Sequence, residues 1–459
     1  MAFDRTRKSH VMSPARHLSS EPMSSDPHFT IASSPRELEN AHRLVREGRL
    51  AEAEAAFRRV LELQPEQSEA LRFLANAALA RGSAGEAVDL LNRAAAVDRN
   101  DIGVLMELGV AYRIADRRDE SRYVLERALQ LSEGRNTSAR LLLANVLELD
   151  QRPELALAHY FRAILDAQAA GQWLSEETTE PGLRQLVPHA MRYVVAGRRA
   201  LFEAALQPLS QRGVVLDRVK RGLVIYLRDS NEPRPDARQR PTFLYVPELG
   251  AAPFLDTSRC EWLQEFSHRL AAAGDEISAC LAAPMPATSG ASPFSLGNLM
   301  AAQTSEAAPP ERRVAIYRRG LLHEAPRQHA PQLLAALADA PLVHIGRHGP
   351  DAELIELAAN ARSSLRYGRT NTRCGVALAL PGSAPARVLV GGEARALEPG
   401  RATLFDPSFG VEYANDGNTP ARVLAFEIWH PDLSADEREA LSALTSAVVE
   451  FDGRVQDLG

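Results

Sequence analysis

The feature that most narrows the fold is a period of 34 residues between Ala41 and Ala163. Ala53, Ala87, Ser121 and Ala156 recur at spacings of 34, 34 and 35. Phe57, Leu91, Leu125 and Tyr160 recur in step, as do Val60, Ala94, Ala128 and Ala163. Ala41, Ala75, Gly109 and Ala144 form a further column, placed on the first helix of each pair, and Pro65 closes the first unit. Small residues in such columns let paired helices approach closely, while a large apolar column fills the gap between them. A coiled coil requires a sustained heptad instead, and none is present.

This is the pattern of the tetratricopeptide repeat, in which two antiparallel helices form a unit and each unit stacks on the next. Four units are predicted over residues 35–170. Such an array presents a concave groove for a peptide or partner protein. The plainer alternative is that it only dimerises the chain or stiffens its neighbour, and nothing in the groove columns names a ligand.

The remaining texture predicts an α+β multidomain protein. Residues 1–34 are rich in Ser, Pro, His and Arg and cannot bury enough apolar surface to offset ordering, so a disordered tail is expected. Residues 171–235 are expected to be a helical connector ending in the polar, Pro-rich linker RDSNEPRPDARQRP, which marks a domain boundary. Beyond it, over 236–459, short apolar runs alternate with Gly, Pro and Asn: PTFLYVPELG, APLVHIG, RCGVALALPG, RVLVGG, RATLFDP and ARVLAFEIWHP. Short strands with tight turns suggest a sandwich or rolled barrel. One helix, residues 262–282, interrupts them, and 283–311 reads as a long loop.

With 459 residues each domain has enough chain for its own core. A net charge of −6 provides no field to gather nucleic acid, so no nucleic-acid partner is expected. Arginine supplies nearly all the positive charge; Lys8 and Lys220 are the only lysines. Cys260, Cys280 and Cys374 are odd in number and widely spaced, which argues against a disulfide framework and for a reducing cytoplasm. No apolar run reaches the ~20 residues of a membrane helix, and the first residues hold no secretory signal, so a soluble protein is expected.

Phe405-Asp406-Pro407-Ser408-Phe409, followed by Trp429-His430-Pro431-Asp432-Leu433, resembles the C-terminal signature of the aspartyl/asparaginyl β-hydroxylases. Gly368-Arg369-Thr370-Asn371-Thr372-Arg373 is similar to that family's GxTNxR segment. Phe243-Leu244-Tyr245-Val246-Pro247 and Pro253-Phe254-Leu255-Asp256 resemble its opening strand and loop. Bacterial members often carry N-terminal tetratricopeptide repeats, so the resemblance spans residues 35 to about 445. It implies a double-stranded β-helix, a cupin-like jelly roll, and a chemistry that uses Fe(II) and 2-oxoglutarate.

Carried over residue by residue, that chemistry finds no support. The resemblance assigns the two iron ligands, histidines in the family, to Arg366 and Val411. It assigns the 2-oxoglutarate contacts to Gly375, Ala377 and Ala421. A guanidinium stays protonated and cannot ligate iron, and Val411 has no donor atom. Arg422 lies next to Ala421, but a shift of one residue along a strand turns a side chain to the opposite face unless a bulge intervenes.

Elsewhere the candidates are sparse. His344 and His348 form an HxxxH, but LVHIGRHGP reads as a strand entering a turn, so the rings need not converge. His430 belongs to the signature and has the look of a structural residue. His323, His329 and Glu412 have no partner at a ligand spacing. There is no Walker loop, Rossmann glycine pattern or nucleophile elbow, and Val390-Gly391-Gly392 reads as a turn. Arg366, Arg369 and Arg373, with Arg422, are solvated arginines or an anion pocket. The sequence therefore predicts a cofactor-free relative of the β-hydroxylases that binds a protein or peptide, among them an active hydroxylase paralogue or its substrate. The alternatives are a divergent oxygenase using Glu412, His344 or His430, and a metal-free sensor of an acidic metabolite centred on Arg366.

Overall fold

The structure, a computed structural model, describes residues 27–230, 232–282 and 310–459. The tail before residue 27 and nearly all of the long loop lie outside these residues. The chain divides into two compact units, residues 1–156 and 157–459.

The first unit is helical: α1 (Pro27–Arg46), α2 (Leu50–Leu63), α3 (Ser68–Ala80), α4 (Ala84–Val97), α5 (Ile102–Ile114), α6 (Arg118–Leu131) and α7 (Thr137–Leu149). Helix α1 starts at Pro27, within the segment expected to be an unstructured tail. The sequence columns account for the packing. Ala41 and Ala53 are fully buried in one cluster with Phe57, which is 1% exposed, and Ala75 is fully buried as well. Gly109 stands in a column of alanines because a Cβ there would lie 2.7 Å from Leu125. Ser121, in another alanine column, satisfies its hydroxyl by donating to the Gly109 carbonyl at 2.7 Å. Two further columns emerge only in three dimensions. Gln67, Asp101 and Asn136 each cap an incoming helix, accepting from the N–H of Ala70, Val104 and Ala139. Gly48, Gly82, Asp116 and Gln151 carry the positive φ of the turn between paired helices.

The second unit opens with α8, which runs Pro153–Ala169 across the division, and continues with α9 (Leu186–Gln211) and α10 (Asp217–Tyr226). Helix α8 was expected in the fourth repeat, and α9 and α10 in a connector; most of α8 and all of α9 and α10 fall in the C-terminal unit. Phe161 and Phe451 lie 5.4 Å apart, and the Arg198 guanidinium sits 4.6 Å over Phe161 and 5.7 Å over Phe202. The expected linker is likewise held down. Gln239 is fully buried and donates to Asp406 at 2.7 Å, while the Arg240 N–H reaches the Ser408 carbonyl at 2.6 Å.

The expected single helix over 262–282 is two, α11 (Trp262–Ala272) and α12 (Gly274–Ala282), followed by β1 (Glu311–Arg318), β2 (Leu321–Leu322), α13 (Glu324–His329) and α14 (Pro331–Ala338). Then come β3 (Ala352–Leu357), β4 (Arg373–Ala379), β5 (Ala386–Val390), β6 (Glu393–Leu397), β7 (Thr403–Phe405), β8 (Val411–Asn415), β9 (Ala421–Trp429) and α15 (Ala435–Gln456). PTFLYVPELG and APLVHIG, expected as strands, contribute only the isolated bridges Leu244 to Thr370 and Leu342 to Ile428.

The strands form two antiparallel sheets, a six-stranded one ordered β2-β1-β3-β9-β4-β7 and a three-stranded one ordered β6-β5-β8. Gly391 and Gly392, both at positive φ, make the two-residue turn from β5 to β6. One face of the larger sheet packs Val376, Leu354 and Leu424 against α11 and α14. Its other face meets the small sheet in a core of Ile355, Leu357, Ala377, Val388, Val390, Val411 and Val423. That inner layer is where the candidate site lies.

Candidate functional site

The alternation of a strand decides what reaches the inner layer. On β1, Val314 and Ile316 face the helices, so Glu311 and Arg313 face inward. On β9, Ala421, Val423 and Ala425 belong to the inner core, which puts Glu427 on the same side. Register places Gly375 opposite Glu427, and Ala377 opposite Ala425.

Arg366 and Val411 are partners in an isolated antiparallel bridge. The Arg366 Nη2 donates to Glu311 Oε1 at 3.2 Å. Glu311 also accepts from Arg313 at 2.9 Å, and Arg313 in turn pairs with Glu353. Val411 is 8% exposed and packs in the apolar core with Ala377 and Ala421, both fully buried. Over Gly375 lies the Phe405 ring, whose nearest atom would be 2.4 Å from a Cβ. No larger side chain at 375 can coexist with that ring. The residues at the five positions therefore do not fit iron or 2-oxoglutarate: they offer a committed guanidinium, an isopropyl group, two methyls and a glycine under an aromatic roof.

The arginines do not form one cluster. Arg373 is nearly buried and donates to Glu427 at 3.0 Å and to the His348 carbonyl at 3.1 Å. Arg369 lies over the Phe243 ring at 5.1 Å, and burial followed by the neighbouring Arg373 depresses its pKa. Asp351 stands in the same neighbourhood; burial and then Glu427 push its carboxyl up. Arg366 belongs instead to Glu311. Arg422 is opposite Glu356 and donates to it at 2.9 Å, on the face turned away from Ala421.

The signature residues that are retained hold backbone. Asn371 accepts from the Val246 N–H at 2.8 Å and donates to the Val246 carbonyl at 2.7 Å. Asp406 accepts from the Ser408 N–H at 2.8 Å and from Gln239, and burial raises its pKa. His430 is fully buried; its Nδ1 accepts from the Asp432 N–H at 3.1 Å, and burial lowers its pKa to about 4. Glu412 alternates with the inward-facing Val411 and Tyr413, so it points away from the interior, and His344 is exposed. Among the described residues no group of three His, Cys, Asp or Glu side chains is placed to hold a metal.

Sequence reasoning missed the inner charged set, Glu311, Arg313, Glu353 and Glu427, arranged around the buried Tyr413, whose pKa burial raises. The signal was the polar alternation in ERRVAIYR, which follows a Pro-rich stretch and passed for the end of a loop.

Residues 296–431 match the aspartyl/asparaginyl beta-hydroxylase family, and residues 44–106 match the tetratricopeptide repeat. The C-terminal unit thus carries a domain of the aspartyl/asparaginyl β-hydroxylase family, behind tetratricopeptide repeats. Aspartate beta-hydroxylase domain-containing protein 2 of Xenopus tropicalis is 35% identical over 83 residues, 17% of this chain and 22% of that protein. Aspartate beta-hydroxylase domain-containing protein 1 of Mus musculus is 27% identical over 212 residues, 44% of this chain and 55% of that one. The matches thus span between about a fifth and about half of the relatives' length. Among solved structures, MamA protein aligns with 36% of this chain and 92% of its own at 20% identity and a TM-score of 0.28. Among the described residues no helix is long and apolar enough to cross a membrane.

Proposed function

We propose that the hydroxylase-family domain has given up iron and 2-oxoglutarate chemistry, and that the chain works as a scaffold binding a protein or peptide through its repeats. The observation that carries this reading is the bridge between Arg366 and Val411, with Arg366 committed to Glu311 and Val411 sealed in apolar core. The two sheets are taken as the double-stranded β-helix of the family, kept as a frame. The retained signature supports this, because Asn371, Asp406 and His430 each bond main chain, a duty that outlives catalysis. The three buried free thiols are in keeping with a reducing cytoplasm. An active hydroxylase paralogue or its peptide substrate is the partner that this history favours.

The test is a pair of assays on the full chain. Incubation with Fe(II), 2-oxoglutarate and peptide is expected to release no succinate above the protein-free background; turnover abolished by a chelator would sink the inactive reading. Pull-down is expected to retain a partner that is lost on Asn76→Arg, an exposed position on α3. A partner retained at full strength by this variant would move binding away from that helix face.

A further inference from the structure

Helix α9 is 26 residues long and buries only one side, with Val187, Ala190 and Val194 turned inward. Phe202, Leu206 and Leu209 are buried farther along it, and part of its middle is uncovered. Val195 is 54% exposed there, and with Met191, Ala196 and Ala200 it lines a shallow, mainly apolar depression of about 480 Å³. Apolar surface of this kind on a helix otherwise well packed marks a contact face.

Charge indicates what covers it. Arg192 and Glu203, both exposed on this face, have no ion-pair partner among the described residues. They are 11 residues apart in the sequence, or about three helical turns, and so lie on one line along the helix. Arg199, between them, is already paired with Asp229 at 2.7 Å. One opposite charge at each end of a helix face flanked by Val195, Ala196 and Ala200 is the pattern of a self-complementary surface, since a two-fold axis brings each end against the other.

We propose that this face is a self-association site on which a second copy of the chain docks antiparallel, α9 against α9. With the axis midway between Gly197 and Arg198, Arg192 of each copy meets Glu203 of the other. The pairing is independent of the proposed scaffold role and of any chemistry in the sheets. One helix face is less than the roughly 800 Å² per partner of a standard stable interface, so a reversible dimer is expected.

Sedimentation velocity on the full chain between roughly 1 and 100 µM should show a monomer–dimer equilibrium with a Kd of order 10 µM. Arg192→Glu and Glu203→Arg should each weaken it about tenfold, which is about 1.4 kcal/mol, and the double charge swap should restore it. Val195→Asp should abolish it. Thermal melts should coincide throughout, because all three positions are exposed. A monomer across the whole range overturns the proposal, as does a dimer that Val195→Asp leaves intact or that the charge swap fails to rescue.

Discussion

Arg366 and Val411 exchange both backbone hydrogen bonds, 3.0 Å from the Arg366 N–H to the Val411 carbonyl and 2.7 Å in return. Directly opposed residues of an antiparallel pair send their side chains to one face, here the side of Glu311 and the inner core, with Val411 buried and Arg366 at its exposed margin. Two side chains in that register stand side by side. An arginine and a valine divide the space, the first reaching Glu311 and the second the core.

The ion pairs that fill the interior should be unequal. Arg313 is 15% exposed and serves both Glu311 and Glu353, so Arg313→Met leaves two carboxylates short of a partner and should cost about 2–3 kcal/mol. Arg366 is 45% exposed, and Arg366→Met should cost less than about 1 kcal/mol. Urea denaturation of the two variants checks the order, and equal losses would contradict it.

Gly375 should be intolerant of even a methyl group. Its Cβ would meet the Phe405 ring at 2.4 Å, and overpacking of this kind costs about 2 kcal/mol. Gly375→Ala should lower the melting temperature, and Phe405→Leu in the same chain should recover part of the loss. If Gly375→Ala melts like the parent, the ring does not occupy that space.

Asn371 should matter for folding. Asn371→Ala orphans both the N–H and the carbonyl of buried Val246, at about 2–3 kcal/mol. Asn371→Asp keeps the acceptor and loses the donor, and should fall between. The measurement is equilibrium unfolding, and an intermediate Asp variant is the diagnostic result.

The acid limb of stability should depend on His430. Its folded pKa, about 4, lies below the ordinary value of 6.5, so the unfolded chain binds the proton first. The neutral form's stabilisation is whole above pH 6.5 and is lost as pH falls from 6.5 to about 4, a change on the order of 3 kcal/mol. Asp406, raised by burial, acts with the opposite sign: its stabilisation is present in acid and declines as pH rises through its folded pKa. His430→Gln should flatten the loss between pH 6.5 and about 4; an unchanged slope would assign the acid limb to other groups.

Periodicity made the repeats legible, since the columns at Ala53, Phe57 and Gly109 record helix-to-helix distances directly. Strands β4, β5, β7 and β9 were legible because apolar runs ended at Gly or Pro. Strands β1, β3, β6 and β8 were not. The inward positions of β1 and β3 carry Glu311, Arg313 and Glu353, β6 has four exposed residues in five, and β8 is only five residues long with Glu412 and Asn415 in it, so none of the four stands out as an apolar run. The signature residues were readable one at a time in the sequence. What filled the space between them was not, because Glu311 and Phe405 reach it from strands distant in sequence.

The bond from Gln239 to Asp406 joins what looks like a flexible join to the heart of the signature. A chain cut at Pro241, where composition invites the scissors, would leave a buried carboxylate without its amide and the Ser408 carbonyl without the Arg240 N–H. The two modules cannot be traded at that point. Recombination, natural or engineered, has to begin upstream, before the helices that pack on Phe451, if the sheets are to travel intact.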